Sequence, residues 1–185
     1  MAHFVGLSGS LRRGSFNTAL LRAAAEFLPA GHDLALHTMH GIPVYDGDLE
    51  ASSGVPQPVA VLKDAVAASA GLLIATPEYN NSFPGALKNT IDWMTRPQAD
   101  LARVFGGKPV ALLGATPGGF GTILSQNEWL PILRYLGTRP WCEGRLLVSR
   151  AQTLFDAEGR LTDTATRDQL RKFVEGFVAF AQLGQ

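Results

Sequence analysis

Residues 71–95 read Gly-Leu-Leu-Ile-Ala-Thr-Pro-Glu-Tyr-Asn-Asn-Ser-Phe-Pro-Gly-Ala-Leu-Lys-Asn-Thr-Ile-Asp-Trp-Met-Thr, and the rest of the chain arranges itself around them. Leu72 to Ala75 is a short apolar run of the kind that forms a strand buried on both faces. Thr76 to Phe83 is polar and aromatic and contains Pro77, so the strand stops there and the chain turns. Pro84 then opens a helix, since its fixed φ suits a first-turn position and its missing N–H costs nothing there. Ser82 is the expected cap. Leu87, Ile91 and Met94 recur at i, i+4 and i+7 as one core-facing stripe. The loop lies at the carboxyl end of its strand, where open α/β sheets hold ligands.

Outward from this unit, strands alternate with helices. His3 to Ser8 is a first strand, followed by a polar loop from Gly9 to Asn17 and a helix over Thr18–Leu28 that Pro29-Ala30-Gly31 ends. Asp33 to His37 is a short second strand. Gly41 to Pro58 is rich in Gly, Pro and Ser and reads as a long irregular connection, and Val59 to Ala68 is a helix leading into the central strand. Beyond residue 95, Gln98–Gly107 is a loop and Pro109–Gly114 an apolar strand. Thr116 to Gly121 is a turn cluster, and Thr122–Tyr135 has helical character despite Pro131. A fifth strand lies within Arg145–Val148 and Asp156–Gly159 is a turn. The last helix spans Asp163–Ala181, with Leu170, Phe173, Val174, Phe177 and Phe180 on one stripe. No repeat or linker interrupts the pattern, so residues 1–185 read as one domain. It is an α/β, flavodoxin-like three-layer sandwich with a five-stranded parallel sheet.

Composition narrows the function. Sixteen basic residues balance sixteen acidic ones, leaving no net field to draw in nucleic acid or an anionic membrane. The single cysteine, Cys142, cannot form an internal disulfide, which fits a reducing compartment. It follows a Trp with no activating base nearby and reads as a small packing residue. The N-terminus lacks a signal-peptide pattern, and Ala65–Ala75 is too short to cross a bilayer, so the expected location is the cytoplasm.

Three loops follow apolar strands, and two of them meet at the switch point of a doubly wound sheet. In the first, Ser10 and Ser15 offer hydroxyls, Arg12 a planar cation, and Asn17 stands where the helix begins with its free N–H groups. The loop matches neither the dinucleotide nor the P-loop pattern, so a single terminal phosphate fits it better. A capped helix with a solvated arginine pair fits it equally well. In the second loop, Glu78, Tyr79, Asn80 and Asn81 would present N–H groups and an aromatic edge to a planar ligand, although a plain turn before a helix accounts for them too. The third loop, with three glycines among residues 118–121, permits close backbone approach or simple flexibility.

Other candidates carry less. His32, His37 and His40 lack partners at metal-ligand spacing, so no metal is expected. Asp46, Asp48 and Glu50 lack the later glutamate of a calcium loop and read as a solvated stretch. Lys88 and Asp92 read as a solvated i, i+4 pair, and Trp93 as core or interface. No catalytic acid–base pair or nucleophile elbow is visible.

Taken together, Gly9-Ser10-Leu11-Arg12-x-x-Ser15-x-Asn17 and Pro77-Glu78-Tyr79-Asn80-x-Ser82-x-Pro84-Gly85-x-Leu87-Lys88-Asn89-x-Ile91-Asp92-Trp93 resemble the NADPH-dependent FMN reductase family, which includes bacterial quinone, chromate and azo-dye reductases. The resemblance takes in Gly114 to Thr122 and extends to about Val148. It implies an oxidoreductase with FMN as cofactor and NAD(P)H as co-substrate, reducing quinones or similar acceptors. A flavin-binding electron carrier or sensor without nicotinamide turnover is the alternative. By position, Ser10, Arg12, Ser15 and Asn17 match the phosphate loop. Pro77, Glu78, Tyr79 and Asn80, with Ser82 beside them, match the loop against the ribityl and ring. Thr116, Gly118 and Gly119 match the loop at the ring's pyrimidine end. The resemblance further implies a homodimer or homotetramer, with the Pro84–Met94 helix and the acidic stretch after the second strand in the interface. Many relatives carry Arg-Ala-Gln where this chain has Leu124-Ser125-Gln126, and losing that arginine counts against the tetramer. Arg139-Pro-Trp-Cys-Glu143 also departs from the usual continuation.

Overall fold

The computed structural model describes residues 1–183. Strands β1 (Ala2–Ser8), β2 (His32–His37), β3 (Gly71–Ala75) and β4 (Pro109–Ala115) pair in parallel in the order β2-β1-β3-β4. The outer edge of β4 is shared by two short strands, β5 (Arg139–Pro140) and β6 (Leu146–Val148). The expected fifth strand is β6, within Arg145–Val148, and β5 is an additional short piece before it, with residues 141–145 between them in no strand.

Successive side chains of the central strands go to opposite layers, and both layers are covered. Phe4, Leu73, Ala111 and Leu113 pack beneath α1 (Phe16–Ala25) and the long C-terminal helix, Thr164–Gln182. Val5, Leu7, Leu72, Ile74, Val110 and Leu112 pack beneath the other helices: α3 (Gln57–Ala68), α4 (Gly85–Met94), α5 (Leu101–Phe105) and α6 (Ile123–Tyr135). Leu87, Ile91 and Met94 are buried as their spacing requires. Trp93 is core: fully buried, with its indole N–H donating to the Pro43 carbonyl at 2.9 Å.

The connection from Gly41 to Pro58 is not irregular throughout. It contains α2 (Gly47–Ser53), capped by Asp46, whose Oδ1 accepts the Asp48 N–H at 2.8 Å. Nor is its acidic stretch simply solvated. Glu50 Oε2 accepts from Tyr45 Oη at 2.9 Å and from Arg96 Nε at 2.8 Å, and that hydrogen bond from Arg96 holds the Glu50 carboxyl below its ordinary range. Asn89 completes the clasp, accepting from Tyr45 N–H and donating to Pro43 O, both at 2.8 Å.

The segment read as a loop over residues 98–107 holds a 3-10 turn and α5, whose Val104 and Phe105 are fully buried. Beneath it, Lys63 is buried with its ammonium on Asp100 at 2.6 Å. Helix α1 begins two residues earlier than its apolar spacing suggests, because Ser15 caps it by accepting the Thr18 N–H. Cys142 is exposed rather than packed, since it lies in the excursion between β5 and β6.

Candidate functional site

The first loop leaves β1 beside the second loop. Gly9 N–H donates to Ala75 O at 2.8 Å, and a Cβ on Gly9 would lie 2.7 Å from Leu87 Cδ2 and 2.9 Å from both Ala75 O and Pro77 Cδ. Only glycine lets the loops close to that distance without shifting backbone. The third loop is drawn in by Asn17, whose side-chain amide pairs with both backbone groups of Ala115 at the end of β4. These ties gather three loops at one rim of the sheet.

They enclose a cavity of about 120 Å³ lined by Ser10, Arg12, Ser15, Asn17, Pro77, Glu78, Tyr79 and Thr116, together with Phe16, Ala115 and Pro117. A wider groove of about 400 Å³ shares Arg12 and Tyr79 and is otherwise walled by Gly9, Leu11, Met39 and the start of α4. Asn80, Ser82, Gly118 and Gly119 line neither. Phe16, Pro117 and Met39 were not singled out in the sequence, where the only available signal was adjacency to a motif.

The donors are arranged for an anion. Ser10 Oγ accepts the Arg12 N–H and Ser15 Oγ accepts the Thr18 N–H, both at 3.3 Å, so each hydroxyl proton stays free to donate. The N–H groups of Phe16 and Asn17 are the orphan donors of the first turn of α1. Among the described residues Arg12 has no ion-pair partner, and its side chain is exposed at the cavity. A phosphate matches this set of donors and charge.

Glu78 is engaged elsewhere. Its Oε2 accepts the N–H groups of Leu124 and Ser125 at 2.9 and 3.2 Å, capping α6 from another loop where Thr122 makes no side-chain cap. Asn80 and Asn81 both take left-handed φ, 51° and 63°, and form a tight turn that pairs Tyr79 with Ser82. That turn explains why Ser82 does not cap α4, whose N-cap is Pro84 without a side-chain bond. Ser82 Oγ instead donates to the Glu128 carboxylate on α6. Beneath the loop, Thr76 Oγ1 bonds Ser125 Oγ at 2.7 Å and accepts from Trp129 Nε1 at 3.1 Å. The second loop is therefore pinned to α6 at three places. Thr116 Oγ1 accepts the Gly118 N–H at 3.2 Å, and a side chain on Gly119 would project into open space.

Among the described residues there is no cluster of metal-ligating side chains, and no helix is long and apolar enough to cross a membrane.

Residues 2–153 match the family model described as NADPH-dependent FMN reductase. A Pseudomonas aeruginosa protein named NAD(P)H-dependent FMN reductase is 42% identical over 168 residues, covering 91% of this chain and 89% of the relative. A quinone reductase of Escherichia coli K12 is 35% identical over 181 residues, covering 96% and 94%. Among solved structures, a flavoenzyme NAD(P)H:(acceptor) oxidoreductase from Paracoccus denitrificans superposes with a TM-score of 0.86 at 33% identity, covering 99% of this chain and 98% of that one. On the strength of the matched family model and of relatives similar along nearly their whole length, this chain belongs to the NADPH-dependent FMN reductase family.

Proposed function

We propose that residues 1–185 form a single domain that binds FMN where the three loops meet and passes reducing equivalents from NAD(P)H to quinones or similar small acceptors. The observation that carries this reading is the convergence of Ser10, Arg12, Ser15, Tyr79 and Thr116 on one cavity at the β1–β3 switch point of the sheet. Bound FMN would supply the redox chemistry, taking hydride from the nicotinamide and yielding it to the acceptor.

The protein's share is position and charge. Arg12, the hydroxyls of Ser10 and Ser15, and the N–H groups of Phe16 and Asn17 would hold the phosphate. The Asn17 side chain, spent on Ala115, would contribute by setting the distance between the first and third loops. Pro77, Glu78, Tyr79 and Asn80, with Ser82 steadying their turn from α6, would border the ribityl chain and ring. Thr116, Gly118 and Gly119 would form the pyrimidine-side wall, with Gly119 leaving room for a flat ring. Glu78 is a tether in this scheme and not an acid or base.

A homodimer fits the exposed apolar side chains of this surface: Leu11 and Tyr79 at the site are half-exposed, and Val44, next to the Tyr45 that binds Asn89 of α4, is 83% exposed. A cytoplasmic location suits a lone exposed thiol and a nicotinamide co-substrate.

The test is direct. Purified protein should show the visible spectrum of bound flavin and oxidise NADPH or NADH when a quinone is supplied. Protein that stays colourless with added FMN ends the proposal. Bound flavin without nicotinamide turnover would leave a carrier or sensor in its place.

A further inference from the structure

Residues 11–14 carry Arg12 yet have little support of their own. Leu11 is 45% exposed, and Arg12, Arg13 and Gly14 are exposed as well, so no core packing fixes them. The tie within the loop is the Arg12 N–H on Ser10 Oγ, at 3.3 Å. Among the described residues, one hydrogen bond reaches this stretch from elsewhere in the chain. It joins His40 Nε2 to the Leu11 carbonyl at 3.2 Å, across 29 residues of sequence.

The far end of that contact is firm. Strands β1 and β2 pair in register as far as Leu7 and His37, so they leave the sheet side by side. Met39 belongs to the core beneath α3 and α4 and is 3% exposed. Its carbonyl accepts the Ile42 N–H at 3.3 Å, closing a turn that contains His40. The imidazole is oriented by Thr38, whose Oγ1 lies 3.0 Å from Nδ1. A carbonyl only accepts, so Nε2 carries the proton toward Leu11, and in the neutral ring Nδ1 accepts from the Thr38 hydroxyl. A protonated ring keeps the same Nε2–H, so the contact does not depend on charge. Leu11 and Met39 both line the wider groove, and the bond therefore joins two parts of its wall.

We propose that His40 is a positioning residue for the flavin phosphate: it holds the Leu11 carbonyl so that the next residue, Arg12, is presented to the cavity before FMN arrives. This role rests on the reading that Arg12 meets the phosphate. Without the tether the loop samples many conformations, and binding has to order the one that places the guanidinium. The loss falls on FMN affinity and not on the fold, because His40 is itself exposed.

The experiment compares His40→Ala with His40→Gln, whose Nε2–H reaches a similar position without a ring or its charge. FMN is first titrated into flavin-free protein. His40→Ala should raise the dissociation constant about three- to tenfold, the effect of one hydrogen bond, and His40→Gln should restore most of the loss. In an Arg12→Ala background, His40→Ala should add almost nothing, because the tether acts through Arg12. Trypsin then cleaves the flavin-free chain after Arg12 or Arg13. Cleavage there should be faster in His40→Ala than in the parent or His40→Gln, while the melting temperature stays the same. An unchanged cleavage rate, a glutamine variant as weak as the alanine, or fully additive losses in the double variant would each overturn the proposal. Normal FMN binding by His40→Ala beside weakened binding by Arg12→Ala would overturn it alone. Normal binding by Arg12→Ala would end the phosphate reading and this role with it.

Discussion

Asn17 and Ala115 exchange two hydrogen bonds across 98 residues of sequence: Nδ2 donates to the Ala115 carbonyl at 2.9 Å, and the Ala115 N–H donates to Oδ1 at 3.0 Å. One side chain thus replaces a missing strand partner and sews the first loop to the third. Asn17→Ala leaves two buried backbone groups unpaired and should cost about 2–4 kcal/mol. Urea unfolding of the FMN-free protein measures this. An unchanged midpoint would show that the pair contributes nothing to the fold.

Arg12 carries the charge at the phosphate end of the site. Arg12→Ala should weaken FMN binding by roughly 1.5–3 kcal/mol, as expected for a lost charge-assisted bond, with little effect on stability. Arg12→Lys should recover only part of the loss, because an ammonium lacks the planar fork. Fluorescence titration with FMN reads both variants. A dissociation constant that does not move in Arg12→Ala places the phosphate elsewhere.

Gly9→Ala pushes a methyl into the Ala75 carbonyl and the Pro77 ring, neither of which is the flexible end of a side chain. Overpacking of this kind should cost about 1–3 kcal/mol. It should also loosen FMN, since the first two loops can no longer close to their present spacing. Thermal melts with and without FMN separate the two effects.

Glu78 sits in the site yet serves as a cap. Glu78→Ala should lower stability by about 1 kcal/mol, the usual value of a helix cap, and leave the shape of the pH–rate profile unchanged. A limb lost from that profile would make Glu78 a proton-transfer group and contradict the geometry.

The hydrogen bonds from Arg103 first and Lys63 second hold the Asp100 carboxyl down to about 2, against an ordinary 3.8. A carboxylate whose folded value is depressed stabilises the fold above its unfolded value and loses that contribution as pH falls through the folded one. Stability should therefore decline between about pH 4 and pH 2, and Asp100→Asn should flatten that part of the curve. Melting temperature against pH is the measurement. An identical acid limb in the variant would remove Asp100 from the account.

Sequence and structure part company where local pattern carries no information. The central strand and α4 were legible because Leu72–Ala75 is a short apolar run ended by a Pro-containing turn, and Leu87/Ile91/Met94 recur at helical spacing. Helix α2 was hidden, since it buries no residue and includes Gly47 and two serines, so its stripe does not exist. What holds it is the Glu50 clasp to Arg96, a contact 46 residues away. Helix α5 was masked by its length of 5 residues and the Gly106-Gly107 that follows. At the site, residue types and loop positions could be read, but not which polar groups were already spoken for. Asn17 and Glu78 look like ligand contacts in sequence, and both are occupied by backbone from distant elements.

The broken outer margin of β4 has one more effect. Opposite it, the edge strand β2 carries His32, Asp33 and His37, with His3 paired to Asp33 alongside. At the far side the last pieces of sheet are 2 and 3 residues long and include Pro140. One border is therefore too broken, and the other too polar and charged, to serve as a smooth template for a foreign strand, and the protein is guarded at both flanks against growing into a fibre.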